Sequence, residues 1–127
     1  MEDTKLAKVL VVDDEPNIVE LLTVSLKFQN FEVFSANSGH EALRVAREVN
    51  PDAYILDVMM PGMDGYDTMR AIRMDPDSRA LPIIALTAKA MKDDQEKCLA
   101  AGANDYIAKP IDMDKLVSLC RVWCSRQ

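Results

Sequence analysis

The sequence lacks most of the features that mark secreted and membrane proteins. None of its apolar runs approaches the roughly 18 residues of a membrane span, and its first residues, Met1–Lys5, do not have the charged-then-apolar order of a signal peptide. A length of 127 residues suits one domain with its own hydrophobic core. We therefore expect one soluble, cytoplasmic domain over residues 1–127, with no membrane contact.

Positive charge is also scarce. The chain carries 15 lysines and arginines against 21 aspartates and glutamates, which gives a net charge of -6. A surface that follows a phosphate backbone needs clustered positive charge. We therefore expect no direct contact with nucleic acid, so that any DNA binding would belong to a partner.

Cysteine and histidine are few. The three cysteines, Cys98, Cys120 and Cys124, are an odd number in a chain without a secretory signal, which favours reduced thiols over disulfides. A structural zinc site usually needs four nitrogen or sulfur ligands, and the only histidine, His40, lies far from the cysteines in the sequence. We expect all three cysteines to pack as small apolar side chains.

The residues that are present form a regular alternation of short apolar runs and amphipathic segments. Such an alternation predicts an α/β fold. Strands are predicted at Val9–Val12, Glu32–Ala36, Ala53–Asp57, Ile83–Leu86 and Tyr106–Ala108. Helices are predicted at about Pro16–Phe28, from a cap at Ser38 to Asn50, and at about Tyr66–Met74, Met91–Ala101 and Met113–Cys124, with a loop at Pro61–Gly65.

This order of elements predicts how the strands are arranged. Right-handed crossovers place helices on both faces of a parallel sheet. The common five-stranded form is the flavodoxin-like, doubly wound parallel sheet with the strand order 2-1-3-4-5. We predict this fold with five helices, and a ligand site outside the carboxyl ends of strands one and three, where the strand order reverses.

Polar residues end or follow four of the predicted strands. Asp13 and Asp14 come directly after the first strand, and Asp57, Thr87 and Lys109 end or follow the third, fourth and fifth strands. The carboxyl ends of parallel strands share one edge of the sheet. We therefore expect three carboxylates, a hydroxyl group and an ammonium group to lie together at that edge.

A cluster of carboxylates predicts a bound cation, because the like charges repel one another unless a positive charge lies among them. Hard oxygen ligands with room for water suit Mg²⁺ better than zinc or copper. The simpler alternative is that Asp13, Asp14 and Asp57 are turn residues or helix caps. Two adjacent aspartates and a third after another apolar strand favour the metal site. Together with Thr87 and Lys109 they form a set that suits phosphoryl transfer.

At these residues the chain resembles the receiver domain of bacterial response regulators, the phosphoacceptor module of two-component signalling. The resemblance extends from Val9 to Trp123, and its most specific segments are Val11–Glu15, Leu56–Gly65, Leu86–Ala88 and Gly102–Pro110. The segments Leu86–Met91 and Asp105–Ile111 are more similar to receivers attached to or served by hybrid sensor kinases than to receivers fused to DNA-binding domains. A stand-alone regulator and a receiver from a larger kinase both remain open.

The resemblance implies a role for each site residue. Asp57 would be the nucleophile that accepts a phosphoryl group from a phosphohistidine. Asp13, Asp14, Asp57 and the backbone carbonyl of Met59 would bind Mg²⁺. Thr87 and Lys109 would hold phosphoryl oxygens, and the chain would catalyse only its own phosphorylation and dephosphorylation.

The resemblance also implies partners. The phosphoryl donor would be a histidine kinase or a histidine phosphotransfer protein. Thr87 and Tyr106 would form a conformational switch that reports phosphorylation to a downstream protein, which would bind the face made by helix four, strand five and helix five.

Three other functions are less well supported. A receiver fold that signals without phosphorylation is disfavoured because all five polar residues are present. A haloacid-dehalogenase-like phosphatase would carry a second aspartate two residues after its nucleophile, where this chain has Met59. A dinucleotide or flavin protein would have a glycine-rich turn after strand one, where Asp13–Pro16 instead offers negative charge.

Overall fold

The computed structural model describes residues 7–59, 65–87 and 92–124. Five strands and five helices alternate within these ranges. The strands are β1 (Lys8–Val12), β2 (Glu32–Ala36), β3 (Ala53–Asp57), β4 (Ile83–Thr87) and β5 (Asp105–Ala108). The helices are α1 (Pro16–Phe28), α2 (Gly39–Val49), α3 (Gly65–Met74), α4 (Lys92–Ala101) and α5 (Met113–Cys124).

The five strands form one parallel sheet in the order β2-β1-β3-β4-β5. The predicted flavodoxin-like, doubly wound arrangement is therefore confirmed. Val12 at the end of β1 lies opposite Ala36 of β2 on one side and Leu56 of β3 on the other. Asp57 is thus one residue beyond this level, on the strand next to β1, and the strand order reverses between these two strands.

The core consists of two layers, one on each face of the sheet. Alternate strand residues point to opposite faces, so that each strand contributes to both layers. One layer joins the sheet to α2, α3 and α4 through buried residues such as Leu10, Leu56, Ala42, Met69 and Cys98. The other joins it to α1 and α5 through buried residues such as Val11, Ile55, Leu22, Leu26 and Leu116.

The helix ends follow the local chemistry of the sequence. Pro16 occupies the first turn of α1, where a missing backbone N–H leaves no hydrogen bond unmade. Ser38 caps α2, since its Oγ accepts a hydrogen bond from the Glu41 N–H at 3.1 Å, and Glu41 Oε1 accepts one from the Asn37 N–H at 2.6 Å. The predicted cap at Ser38 is therefore present, and Glu41 reaches back to the backbone N–H of the residue before this serine.

Some predicted bounds differ from the structure by one residue. β5 begins at Asp105 rather than Tyr106, because Asp105 pairs with Ile84 in the ladder to β4. α3 begins at Gly65 rather than Tyr66, and the Gly65 N–H donates to Val58 O at 3.2 Å, which ties the helix start to the residue after β3. The predicted start of helix four at Met91 and residues 61–64 of the predicted loop lie outside the described residues.

The cysteines are free thiols, and two of them are buried as expected. Cys98 and Cys120 lie in the core, whereas Cys124 is only half-buried at the end of α5. Burial raises the pKa of the Cys120 thiol to about 12 and, with a smaller effect of Asp52, that of Cys124 to about 11. Both therefore stay protonated near neutral pH, which makes them poor nucleophiles.

The carboxyl-terminal helix is tied to the edge strand by a side-chain contact. Trp123 Nε1 of α5 donates a hydrogen bond to Asp105 Oδ2 of β5 at 3.3 Å.

Within the described residues, no helix combines the length and the apolar character needed to cross a membrane.

Candidate functional site

Three carboxylates meet at the carboxyl ends of β1 and β3. Asp13, Asp14 and Asp57 each offer an oxygen atom, and these oxygens lie within 4.8 Å of one another. Asp13 and Asp57 are buried, with 0% and 2% of their surface exposed, whereas Asp14 is exposed to solvent. The strand order brings them together, because β1 and β3 are neighbours in the sheet although they are far apart in sequence.

Backbone N–H groups fix one oxygen of each buried carboxylate. The Glu15 N–H donates to Asp13 Oδ1 at 2.9 Å, and the Met59 N–H donates to Asp57 Oδ1 at 3.0 Å. Each donor lies two residues after its acceptor, a local turn that aspartate forms readily. The Oδ2 atoms of the two carboxylates both face the Lys109 ammonium.

Lys109 is the cation of this site. Its Nζ lies 3.1 Å from Glu15 Oε1, 3.4 Å from Asp57 Oδ2 and 3.5 Å from Asp13 Oδ2. Its backbone N–H donates to Thr87 O at 2.7 Å, which fixes the start of the side chain. Burial lowers the pKa of the Lys109 ammonium, but the hydrogen bond to Glu15 and the charges of Asp57, Asp13 and Glu15 together raise it above its usual value.

The negative charge of Asp13 is only partly balanced by its neighbours. Burial, reinforced by the charge of Asp57, raises the pKa of Asp13 to about 6, although the hydrogen bond from the Glu15 N–H and the charge of Lys109 lower it. Asp13 Oδ2 is buried and accepts no hydrogen bond from any described residue, even with the Lys109 ammonium 3.5 Å away. A buried carboxylate oxygen that accepts no hydrogen bond would be stabilised by a further cation bound beside it.

This observation agrees with a hard divalent cation. Among the residues that the structure describes, the cluster consists of carboxylate oxygens of Asp13, Asp14 and Asp57, without a sulfur or nitrogen ligand. Mg²⁺ prefers such oxygen ligands and usually retains several waters, for which the exposed Asp14 leaves access. The residues present therefore fit the predicted metal.

Thr87 ends β4 at the carboxyl edge of the sheet, whereas Tyr106 lies within β5, opposite Ala85 in the middle of β4. Thr87 is buried at the last position of β4, opposite Ala108. Tyr106 is half-buried and packs against the core layer of α2, α3 and α4. It also lines a groove of about 370 Å³ with Gln95 of α4 and Lys115 of α5. The groove thus lies on the face that the family resemblance gives to a downstream partner.

Glu15 is the site residue whose contact the sequence did not reveal. Its carboxylate forms the shortest of the three contacts with Lys109, although its side chain is 60% exposed. The sequence did place Glu15 near the site, since it directly follows the two aspartates at the end of β1. The contact spans 94 residues of sequence and depends on side-chain conformation, which residue order alone does not specify.

A comparison with known families adds an independent observation. The family model described as "Response regulator receiver domain" matches residues 9–121. The chain belongs to this family. Phosphorylation of an aspartate and binding of Mg²⁺ are general properties of receiver domains, which generally act as non-enzymatic switches in two-component systems.

Individual relatives show how widely this receiver domain is shared. The DNA-binding response regulator MtrA of Mycolicibacterium smegmatis is 40% identical over 119 residues, which are 94% of this chain and 51% of MtrA. The chain thus spans about half the length of the curated relatives that it matches. The chemotaxis response regulator CheY4 of Vibrio cholerae has a TM-score of 0.87 at 33% identity, covering 94% of this chain and 98% of CheY4.

A third relative bears on the metal. The receiver domain of a sensor histidine kinase from Pseudomonas aeruginosa PAO1, with a magnesium ion coordinated in its active-site cleft, has a TM-score of 0.86 at 36% identity. The comparison covers 94% of this chain and 98% of that one. Receivers of kinases and of DNA-binding regulators both occur among the relatives. The expected similarity to hybrid kinases and the expected absence of nucleic-acid contact therefore stay predictions.

Proposed function

We propose that this receiver domain accepts a phosphoryl group on Asp57, in a Mg²⁺-dependent reaction, from a phosphohistidine of a histidine kinase or a histidine phosphotransfer protein. The observation that carries the proposal is the position of Asp57. Its buried carboxylate lies 3.4 Å from the Lys109 ammonium and within 4.8 Å of oxygens of Asp13 and Asp14. Asp13 shares these contacts, but Asp57 ends β3 at the position where the receiver family carries its phosphoacceptor aspartate.

The transfer itself needs little covalent assistance from the protein. A carboxylate oxygen of Asp57 forms a bond to phosphorus as the phosphorus–nitrogen bond of the phosphohistidine breaks, and the electron pair of that bond stays with the imidazole. An ionised carboxylate needs no general base to become a nucleophile. Catalysis is then mainly a matter of positioning and of charge neutralisation.

Other residues of the chain supply these two effects. The Met59 N–H orients Asp57, and Lys109 brings a positive charge to the phosphoryl oxygens. Thr87 would donate its hydroxyl to another phosphoryl oxygen, since it ends β4 at the same edge. The role of the protein is thus to accept and hold the group rather than to act on an external substrate.

The metal would be held by Asp13, Asp14, Asp57 and the backbone carbonyl of Met59. When bound, Mg²⁺ neutralises the carboxylates and the oxygens of the incoming phosphoryl group. The buried Asp13 Oδ2, which accepts no hydrogen bond within the described part of the chain, supports this assignment.

Phosphorylation would then change the surface made by α4, β5 and α5. On Asp57, a phosphoryl group with up to about two negative charges replaces a carboxylate with one and brings new acceptor oxygens, which can reorder Thr87. Tyr106 would follow and alter the groove that it lines with Gln95 and Lys115. We propose that a downstream protein binds there, without direct contact between this chain and nucleic acid or a membrane.

Mass spectrometry tests the central assignment. The protein is incubated with Mg²⁺ and either acetyl phosphate or phosphorylated histidine donors. We expect one added phosphoryl group in the parent and in an Asp77→Ala control, in which an exposed aspartate outside the site is removed. The Asp57→Ala variant should gain none. Equal phosphorylation of Asp57→Ala and the parent would contradict the proposal.

A further inference from the structure

The Lys109 ammonium is shared unequally among three carboxylates. Its shortest contact is with Glu15 at 3.1 Å, against 3.4 Å for Asp57 and 3.5 Å for Asp13. An ammonium group has three protons to donate, and charge-assisted hydrogen bonds weaken as they lengthen. The best hydrogen bond of Lys109 therefore goes to a residue outside the set that receives the phosphoryl group.

The three acceptors also differ in their surroundings. The Glu15 side chain is 60% exposed, whereas the Asp13 and Asp57 side chains are 0% and 3% exposed. If Glu15 were neutral, Lys109 would still be held by two buried carboxylates and by its backbone hydrogen bond to Thr87. Glu15 is thus not needed to keep Lys109 in the site.

We infer that Glu15 competes for the Lys109 ammonium in the unphosphorylated protein and thereby slows phosphoryl acceptance. This inference rests on the proposed function of Asp57. A phosphoryl group on Asp57 offers Lys109 new acceptor oxygens, and the Glu15 carboxylate competes with them for the ammonium protons. Glu15 also adds a negative charge beside the position that an anionic donor must approach. Both effects act in the same direction, so Glu15 is a positioning residue that sets the phosphorylation rate.

The test compares the parent with Glu15→Gln, which keeps the size of the side chain but removes its charge. Glu32→Gln is the control, because it makes the same change of net charge at the first residue of β2, at the opposite edge of the sheet. Phosphorylation by acetyl phosphate with Mg²⁺ is followed by mass spectrometry at low and at high salt.

We expect Glu15→Gln to be phosphorylated faster than the parent. The usual strength of an exposed ion pair corresponds to a phosphorylation rate that is higher by a factor of about 1.4 to five. The difference should shrink at high salt, because salt screens exposed charges more than buried ones. Glu32→Gln should match the parent. A Glu15→Gln rate equal to or below that of the parent, or an equal acceleration in Glu32→Gln, would overturn the inference.

A second measurement needs neither donor nor metal. Exchange of the Lys109 ammonium protons with water is measured by NMR without Mg²⁺. We expect faster exchange in Glu15→Gln than in the parent and in Glu32→Gln, since a neutral amide oxygen accepts a weaker hydrogen bond from the ammonium than a carboxylate does. Unchanged exchange would exclude the pairing. If the parent gains no phosphoryl group at all, the proposed function fails, and this measurement still decides whether Glu15 holds Lys109.

Discussion

At the scale of single residues, Asp13 carries the least favourable charge in the described part of the site. Its side chain is completely buried, and its pKa is raised to about 6 from an ordinary value of 3.8. The folded protein therefore binds a proton at Asp13 more tightly than the unfolded chain does. Between about pH 4 and pH 6, Asp13 is ionised in the unfolded chain but still largely protonated in the folded protein. The free energy of unfolding therefore falls as the pH rises through this range.

The Asp13→Asn variant tests this account in the absence of Mg²⁺. A rise in pKa from 3.8 to about 6 corresponds to roughly 3 kcal/mol as an upper value, at about 1.4 kcal/mol per pH unit. We expect the parent to lose stability from pH 4 to pH 6 and the variant to lose less. Above pH 6 the variant should be more stable by roughly 1–3 kcal/mol. Urea unfolding with a chelator present measures this, with Asp77→Asn as the control, and parallel pH profiles for Asp13→Asn and the parent would contradict it.

The site residues differ in how far the sequence predicts them. Asp13, Asp57 and Lys109 follow or end apolar runs, so their meeting at one edge follows from the strand order. The exposure of Asp14 and the contact of Glu15 with Lys109 depend on the loop after β1. Loop and side-chain conformations are set by local packing, and no periodic pattern in the sequence records them.

At the scale of secondary-structure elements, the approach of α3 to β3 limits how the site can be built. A Cβ atom on Gly65, the first residue of α3, would lie 2.3 Å from Val58 Cα and 2.4 Å from Asp57 O. Both are backbone atoms and cannot rotate away. Only glycine allows α3 to begin this close to the strand end that carries Asp57.

The Gly65→Ala variant should therefore displace the end of β3. We expect a loss of about 1–3 kcal/mol in the free energy of unfolding, the usual cost of forcing an extra methyl group into a packed position. Ser118→Ala, at an exposed position of α5, should change stability by less than about 0.5 kcal/mol. Urea unfolding of both variants checks this. Amide NMR should also show shifts at Asp57 and Met59 in Gly65→Ala, and an undisturbed β3 end would refute the argument.

The elements themselves follow closely from the sequence. Short apolar runs bounded by turn residues predicted all five strands, because strands that are covered on both faces need apolar residues throughout. The one-residue differences at β5 and α3 arise from hydrogen bonds of Asp105 and Gly65 that depend on neighbouring elements. Such tertiary hydrogen bonds leave no local signal.

At the scale of the whole molecule, the protein has a net charge of -6 and brings three of its carboxylates together at the ends of β1 and β3. Charge repulsion there is a cost of folding that a bound cation would remove. A ligand that binds only the folded state raises the free energy of unfolding by about 2.7 kcal/mol at one hundred times its dissociation constant. Stability should therefore depend on Mg²⁺ concentration.

We expect Mg²⁺ to raise the thermal midpoint of the parent by several degrees. Asp14→Asn should lose most of this increase, because it removes a predicted ligand that is exposed and makes no large contribution to the core. Asp77→Asn should keep the increase. Differential scanning calorimetry with and without Mg²⁺ measures the effect, and an equal rise in all three proteins would point to binding elsewhere.

The single tryptophan of the chain is joined to the first residue of β5 by the hydrogen bond between Trp123 Nε1 and Asp105 Oδ2. Asp105 immediately precedes Tyr106. The protein thus carries a built-in fluorophore beside the strand on which its proposed switch lies, and changes along that strand can be followed optically in the native chain without attaching a dye.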